Sequence, residues 1–496
     1  MINIEYILQN HGVGGGSKSK DKIPPPQVTD FGATLITGKG IKLSWKNPKD
    51  SDFFGVKILR KGDDYPQTVN DGTLVYSGAN ESYEDINLQA DTEYFYSIFS
   101  YDYDNNYSSL TDGTKTKAIY RNVDIYGFDI DMSEPDSKKC VTYTANNADV
   151  APALRDDGVF DWNGWQDRFI FNDINPCLFT DGAVNYYLNK DDYTKKRDGT
   201  KSVLTGTDGD VMVEFPKFYM KIEKQGTVTK VRMSKEKVDD SYKCLAHMTP
   251  EGTEVDKLYI GAYLCEANYK SVVTTSLKKF NTKNYATVKQ TRGERYDIMC
   301  FHQLTMIQAL FILLFKDLDS QCGQKWVGQV GGGNTTSGST KDCPFFYGSS
   351  DKTDDVKIFG IERMWGDYTT AIGGIATDSD MGLFIGNTFT GNDMTKLTKT
   401  STTVKDTSLS SGTSPERATD IAGTTEFGFL PINSMKDSYD VAGLKNFCDF
   451  FVVTSSRTMT LGYPNETYPQ FMGLFSMSLD LPLTSNYVHY WRLMYR

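Results

Sequence analysis

The longest helical repeat in this chain is FHQLTMIQALFILLFKDLDSQ. There Leu304, Ile307, Leu310, Phe311, Leu314, Phe315 and Leu318 recur at i, i+3, i+4 spacing, which predicts a helix laid against a core. Its most apolar part, LTMIQALFILLF, is too short to span a bilayer and contains Gln308. A second, short helix is expected over NYATVKQTR. Most of the remaining pattern is short alternating or apolar runs broken by Gly-, Pro- and Asx-containing turns, so a helix of this kind must pack into a mostly β, multidomain protein.

A chain of 496 residues exceeds one ordinary core, and typical domain sizes suggest about three domains. Residues 1–26 end in GVGGGSKSKDKIPPP, a Gly-rich tether stiffened by Pro24 to Pro26. Ahead of the tether, Ile2, Ile4, Tyr6, Ile7 and Leu8 form a strand-like apolar peptide with nothing of its own to pack against. It reads either as a docking peptide or as an unordered terminus. From 27 to 120 the pattern is short strands with polar turns. IKLSW sets Trp45 on an early strand, and FFGVKILRKG places Val56, Ile58 and Arg60 at period two. DYDNN, from Asp102, lacks the Gly and closing Glu of a calcium loop and reads as a turn.

Residues 121–208 are polar and β-rich without regular amphipathic elements, and are expected to pack on their C-terminal neighbour. From 209 onward DVMVEFPKFYMKIEK reads as a strand pair around Pro216, and LYIGAYLCEAN as a further strand. Gly328–Asp355 and Gly386–Thr425 read as long Gly/Ser/Thr loops. FMGLFSMSLD and YVHYWRLMYR alternate like two paired strands, so the chain should end inside a sheet.

The net charge of −11 argues against nucleic acid or an anionic membrane as partner, since both need a basic footprint. MINIEYILQN has no basic segment followed by an apolar one, so no secretory signal is expected. The eight cysteines show no C-x-x-C, and the C-x-x-H at Cys244–His247 lacks a second pair. Buried free thiols are expected, with no metal and no cofactor. With 30 Tyr and 28 Phe, aromatics suit either a recognition surface or an ordinary all-β core.

Trp45 with Leu88, Thr92 and Tyr94 in an L-x-x-x-T-x-Y pattern resembles a fibronectin type III domain, with Tyr94 as the tyrosine corner. The order GDVMVEFPKFYMKI, a helix ending DLDSQ, FGIERMWGD and a terminal YWRLMY strand resembles the C-type-lectin-fold proteins of bacteriophage tails. The block YGFDIDMSEPDS…VTYT…INPCLFTDGAVNYYLN is similar to the segment upstream of that fold, so the resemblance spans roughly 121–496. It implies an α+β C-type-lectin-like domain over 209–496 after a connecting segment over 121–208. It also implies that Trp365 is buried framework while Glu362 and Asp367 hold loop geometry. Neither Glu-Pro-Asn nor Gln-Pro-Asp with Trp-Asn-Asp occurs in the lectin-like part, so no calcium-dependent sugar site is expected.

The resemblance implies a virion protein of a tail fibre, tail tip or baseplate, made in the host cytoplasm, that binds a host cell-surface glycan or protein. The candidate receptor contacts are Tyr463, Asn465 and Tyr468 in LGYPNETYPQF, and Asn486 and Tyr487 in TSNYVHY. Ile2, Ile4, Tyr6, Ile7 and Leu8 become the candidate anchor to other virion proteins. A homo-oligomer, with a trimer as the first guess, would multiply a weak site. Two rival readings stand beside it. One is a structural capsid decoration or baseplate spacer. The other is a tail depolymerase, for which 64 acids offer no signature that selects a catalytic pair. No G-x-S-x-G elbow is present, and Cys265, Cys300, Cys322 and Cys343 do not match the reactive pair of the related formylglycine-generating enzymes. The expectation is a binding protein rather than an enzyme.

Overall fold

The computed structural model describes residues 22–36, 39–121, 123–281, 285–322, 325–329, 335–366, 368–390, 393–404, 416–425, 428–436, 449, 451–453, 457–461, 473–482 and 488–496. The chain divides into two compact units, 1–123 and 124–496.

In the first unit, β1 (Thr29–Ile36), β2 (Gly40–Lys46) and β5 (Ser82–Ile86) form one sheet. The other contains β3 (Gly55–Lys61), β4 (Thr73–Gly78), β6 (Thr92–Tyr101) and β7 (Lys115–Tyr120), in the order β4-β3-β6-β7. All pairings are antiparallel. Strand β2 shows why the sequence folds this way. Ile41, Leu43 and Trp45 point inward while Lys42, Ser44 and Lys46 point out, so one face is buried and the register is fixed. Those three side chains join Val56, Ile58, Tyr96 and Ile98 in the core. The Gln89 amide donates to the Tyr94 hydroxyl at 2.9 Å, tying the corner before β6. This strand order and corner make the unit a fibronectin type III-like sandwich. Within it Asp85, 4 % exposed, accepts from Arg60 Nη1 through both oxygens at 2.8 Å and from the Tyr96 hydroxyl at 2.8 Å. Asp102 accepts from the amides of Asp104 and Asn106, so DYDNN is a turn closed by its own first side chain.

The second unit is built around α2 (Phe301–Phe315), in which every residue is buried. A helix apolar on all sides belongs in the middle of a core rather than on its edge. Gln303 closes a capping box with Cys300, and Lys316 in the left-handed region, at φ 54°, ends the helix, so Leu318 and the DLDSQ segment expected to close it lie beyond its end. Side chains from Tyr126 to Leu479 pack in the same hydrophobic cluster as this helix. Residues 124–208 and 209–496 therefore share one core, and no unit boundary falls at 208/209.

Three sheets surround the helix. A seven-stranded antiparallel sheet runs Asp192–Lys196, Ala183–Asn189, Asn175–Thr180, Asp210–Pro216, Lys257–Gly261, Leu493–Tyr495, Tyr296–Ile298. A four-stranded sheet runs Tyr219–Gln225, Val228–Ser234, Tyr126–Asp131, Val141–Ala145. In the third, Thr370–Thr377 pairs with Gly382–Ile385, Arg457–Leu461 and Val488–Tyr490. The short helix α1 (Tyr285–Arg292) precedes Tyr296–Ile298.

Three sequence expectations are corrected. Asp210–Pro216 and Tyr219–Gln225 do not pair with each other. Both edges of the first are taken by Asn175–Thr180 and Lys257–Gly261, so the second joins another sheet. Met477–Pro482 likewise pairs with Arg457–Leu461 and Phe451–Val453 rather than with the terminal strands. Gly386–Thr425 is not a continuous loop: Thr398–Thr403 pairs with Gly382–Ile385, and Glu416–Thr424 forms a hairpin with Gly428–Lys436. Alternating Thr in TKTSTT suits a half-exposed strand as well as a loop. The final strand, Leu493–Tyr495, does lie inside a sheet, between Lys257–Gly261 and Tyr296–Ile298.

Candidate functional site

The stretch IFGIERMWG, Ile358 to Gly366, lies at the base of the Gly/Ser/Thr-rich segment that precedes it. Glu362 is 2 % exposed, and its carboxylate grips that segment directly. It accepts from the backbone amides of Gly338 and Thr340, each at 2.9 Å, from the Thr340 hydroxyl at 2.8 Å and from the Ser339 hydroxyl at 3.1 Å. Lys357 reaches the same segment from beneath, donating to the carbonyls of Thr340 at 3.1 Å and Cys343 at 2.9 Å. Its ammonium sits 3.7 Å from the centroid of the Tyr193 ring, and burial pulls its pKa down to about 8.

Arg363 adds a buried ion pair, with its Nε donating to Asp355 Oδ1 at 2.6 Å. It also donates to the Thr336 carbonyl and lies over the Tyr368 ring. Burial raises the Asp355 carboxyl, against the opposing pull of Arg363. Arg492, from the last strand segment, donates to the carbonyls of Gly261, Ala262, Glu362 and Arg363 at 2.9, 3.3, 2.7 and 3.1 Å. One guanidinium thus ties the terminal strand, the Lys257–Gly261 strand and the Glu362 hairpin together. Trp365 is 2 % exposed, donates to the Trp326 carbonyl at 3.0 Å and meets Phe311 of α2 edge-on. The whole arrangement is a charged, hydrogen-bonded foundation under residues 336–343. Its chemistry is to hold backbone in place.

A cavity opens on another side of the unit. It has a volume of 440 Å³ and is lined by Leu245, His302 and Ile385, by Asn387, and by Thr398 to Ser401 of the strand that reads as loop in the sequence. His302 lies in the first turn of α2, and its Nδ1 pairs with Asn387 Oδ1. Burial holds the imidazole neutral, with its pKa pushed down to about 4.

Tyr463, Asn465, Tyr468, Asn486 and Tyr487 lie outside the described residues, as do Ile2, Ile4, Tyr6, Ile7, Leu8 and Asp367. His302 and Asn387 were missed because a histidine in an apolar helix reads as core. The available signal was a titratable side chain inside an otherwise apolar run, and the same signal marks Lys357, Arg363 and Arg492. Cys140, Cys177, Cys244, Cys265, Cys300 and Cys322 are buried thiols, and Cys343 is half-buried. Burial pushes the Cys265 thiol up to about 12, far from the thiolate a nucleophile requires. Among the described residues no group of three His, Cys, Asp or Glu is placed to hold a metal, and no helix is long and apolar enough to cross a membrane.

No family model matches the chain, and no curated protein matches it. Among solved structures it is similar to the FN1-FN3 domains of chicken CNTN1, at 18% identity over 20% of this chain and 32% of that one, with a TM-score of 0.17. It is also similar to the Clostridium perfringens spore cortex lytic enzyme SleM, at 21% identity over 20% and 29% of the two chains, with a TM-score of 0.16. A third is the 6th fibronectin type III domain of human fibronectin type III domain containing protein 3, at 18% identity over 21% and 90%, with a TM-score of 0.15. This chain thus spans less than a third of the first two.

Proposed function

We propose that this chain is a bacteriophage virion protein of the tail fibre, tail tip or baseplate, and that it binds a host cell-surface receptor through a C-type-lectin-like domain at 209–496, within the 124–496 unit. The observation that carries this reading is the Glu362 foundation. A Gly/Ser/Thr-rich segment is clamped to a fully buried helix and sheet core by four hydrogen bonds to one carboxylate. Loops fixed in this way lose little conformational entropy when they meet a partner, which is what a recognition surface on a rigid scaffold needs. The resemblance of FGIERMWGD and YWRLMY to tail proteins supplies the setting, and the sandwich serves as spacer. The N-terminal peptide from Ile2 to Leu8 docks on other virion proteins, and oligomerisation multiplies a weak contact. The reading includes no catalytic step and no cofactor.

The test is binding of the labelled full chain to a panel of bacterial strains that includes the strain its particle infects. Saturable binding, weakened by Tyr463→Ala and Tyr468→Ala, is expected on that strain. Absence of saturable binding there, with the protein present on the particle, would replace this reading with a structural decoration.

A further inference from the structure

Tyr103 stands in the turn after β6, 74 % exposed, and its ring centroid lies 4.4 Å from that of Phe54, itself 46 % exposed. Phe54 rests on Tyr101 with centroids 5.7 Å apart, and Tyr101 on Tyr107 at 5.5 Å. The base of this stack is buried and its top is in water. Among the described residues no other aromatic side chain is as exposed as either Phe54 or Tyr103. Single exposed apolar residues are ordinary, but two aromatic rings in contact at a surface make a patch that gains from being covered.

The start of the chain runs toward this patch. Gln27 donates to the Ser109 carbonyl at 2.8 Å and accepts from the Thr111 hydroxyl at 2.9 Å. One residue earlier, the Pro26 carbonyl accepts from the Ser100 hydroxyl at 2.7 Å. The Ser108 amide donates to the Ser100 carbonyl, and Tyr101 pairs with Tyr107, at the foot of the turn that carries Tyr103. Traced backward from Gln27, the chain therefore climbs from Thr111 toward that turn. Pro25 is buried and Ile23 is 74 % exposed. The triple proline is thus laid along the sandwich, and whatever precedes it starts beside the aromatic pair.

We propose that the N-terminal peptide Ile2–Leu8 of the same chain docks on the Phe54–Tyr103 pair and covers it. Leu8 and Lys22 are 14 residues apart, and a Gly-rich chain of that length spans roughly 20 Å on average. That keeps the peptide at an effective concentration of about 1–10 mM around this end of the sandwich. A contact with a dissociation constant of only about 1 mM would then be closed from about half to nine-tenths of the time. Ile2, Ile4, Tyr6, Ile7 and Leu8 supply apolar side chains for the aromatic faces. Lys18, Lys20 and Lys22 follow them in an otherwise acidic chain, while Asp50, Asp52 and Asp104 on the two turns bearing the rings face only Lys49 and Lys57. The contact goes beyond the virion reading, which supplies only the reason for it to open: a particle surface that binds the peptide more tightly displaces it. Until then the apolar strand is kept from pairing with other copies.

Hydroxyl-radical labelling of the full chain, read by mass spectrometry at Phe54 and Tyr103, tests the contact, with exposed Leu74 on β4 as internal control. The comparisons are a chain lacking residues 2–21 and the double variant Ile4→Asp, Tyr6→Asp. Both rings are expected to label about two- to tenfold more slowly in the native chain than in either comparison, at every protein concentration, with Leu74 unchanged. Tyr103→Ser, at a position too exposed to disturb the fold, should keep the wild-type melting temperature and speed tryptic cleavage after Lys18 and Lys20 by a similar factor. Equal labelling in all three chains would overturn the proposal. So would protection that appears only as concentration rises, because the peptide would then come from another copy. Neither readout involves cells or particles, so the outcome is independent of the receptor reading.

Discussion

Replacing Glu362 by Gln keeps the shape of the side chain and removes what the Gly338–Thr340 segment depends on. In the native protein two backbone amides and two hydroxyls donate to the carboxylate within 3.1 Å. A glutamine whose oxygen takes the place of Oε2 keeps three of these contacts without their charge and turns its NH2 toward the Gly338 amide, so one contact of the four loses its partner. Hydrogen bonds to a charged group contribute about 1.5–3 kcal/mol each, which puts the loss of that contact at about 2–3 kcal/mol. In a unit of this size, at about 2.1 cal/mol/K of unfolding entropy per residue, that lowers the melting temperature by roughly 2–4 °C. Scanning calorimetry of the full chain should show the transition of the 124–496 unit moving by this amount while that of the sandwich stays in place. Thr340→Val removes one of the same donors, so its cost should not add to that of Glu362→Gln in the double variant. A shift below about 1 kcal/mol, or full additivity with Thr340→Val, would refute the clamp as the element that holds this segment.

Three further outcomes rest on particular contacts. Burial and the neighbouring Asp319 raise the Asp317 carboxyl to about 7, and the residue is 1 % exposed. Its folded pKa stands above the unfolded value, so the native state is penalised above pH 7 and relieved as pH falls from 7 toward 4. Asp317→Asn should therefore stabilise the unit at pH 8 by up to about 4 kcal/mol, with the gain shrinking to nothing near pH 4 in denaturant titrations. A Cβ at Gly360, where φ is +75°, would stand 2.2 Å from the Tyr193 hydroxyl oxygen that donates to the Gly360 carbonyl. Gly360→Ala should cost about 2 kcal/mol or more by thermal unfolding. In the sandwich, Asp85→Ala strands Arg60 and the Tyr96 hydroxyl and should lower only the transition of residues 1–123, by about 3–5 kcal/mol.

The parts of the fold legible in the sequence are those where a single periodicity decides. The pattern of Leu304 to Phe315 could only be a helix, although Leu318, which fits the same spacing, lies beyond its end, and Ile41, Leu43 and Trp45 could only face one way. Pairing partners were not readable, because alternation at Asp210–Pro216 says which face is buried and nothing about which strand lies alongside. The Thr398–Thr403 strand was hidden by composition, since Thr serves loops and strands alike. Glu362 and Trp365 were singled out through the FGIERMWGD resemblance. Asp355 and Lys357 lie close by in the chain but carry no motif that marks them, and Arg492 joins the cluster only when segments more than 100 residues apart meet. His302 was hidden for the opposite reason: the sequence shows its apolar neighbours and not the cavity at its edge.

The central claim concerns which part of the chain touches the host. The most direct measurement compares binding of residues 1–123 and 124–496, cut at the boundary between the two compact units, to intact host cells and to particles lacking the protein. The receptor reading predicts saturable binding of 124–496 to cells and of 1–123 to particles. Binding of 1–123 to cells, or of neither piece, would contradict it.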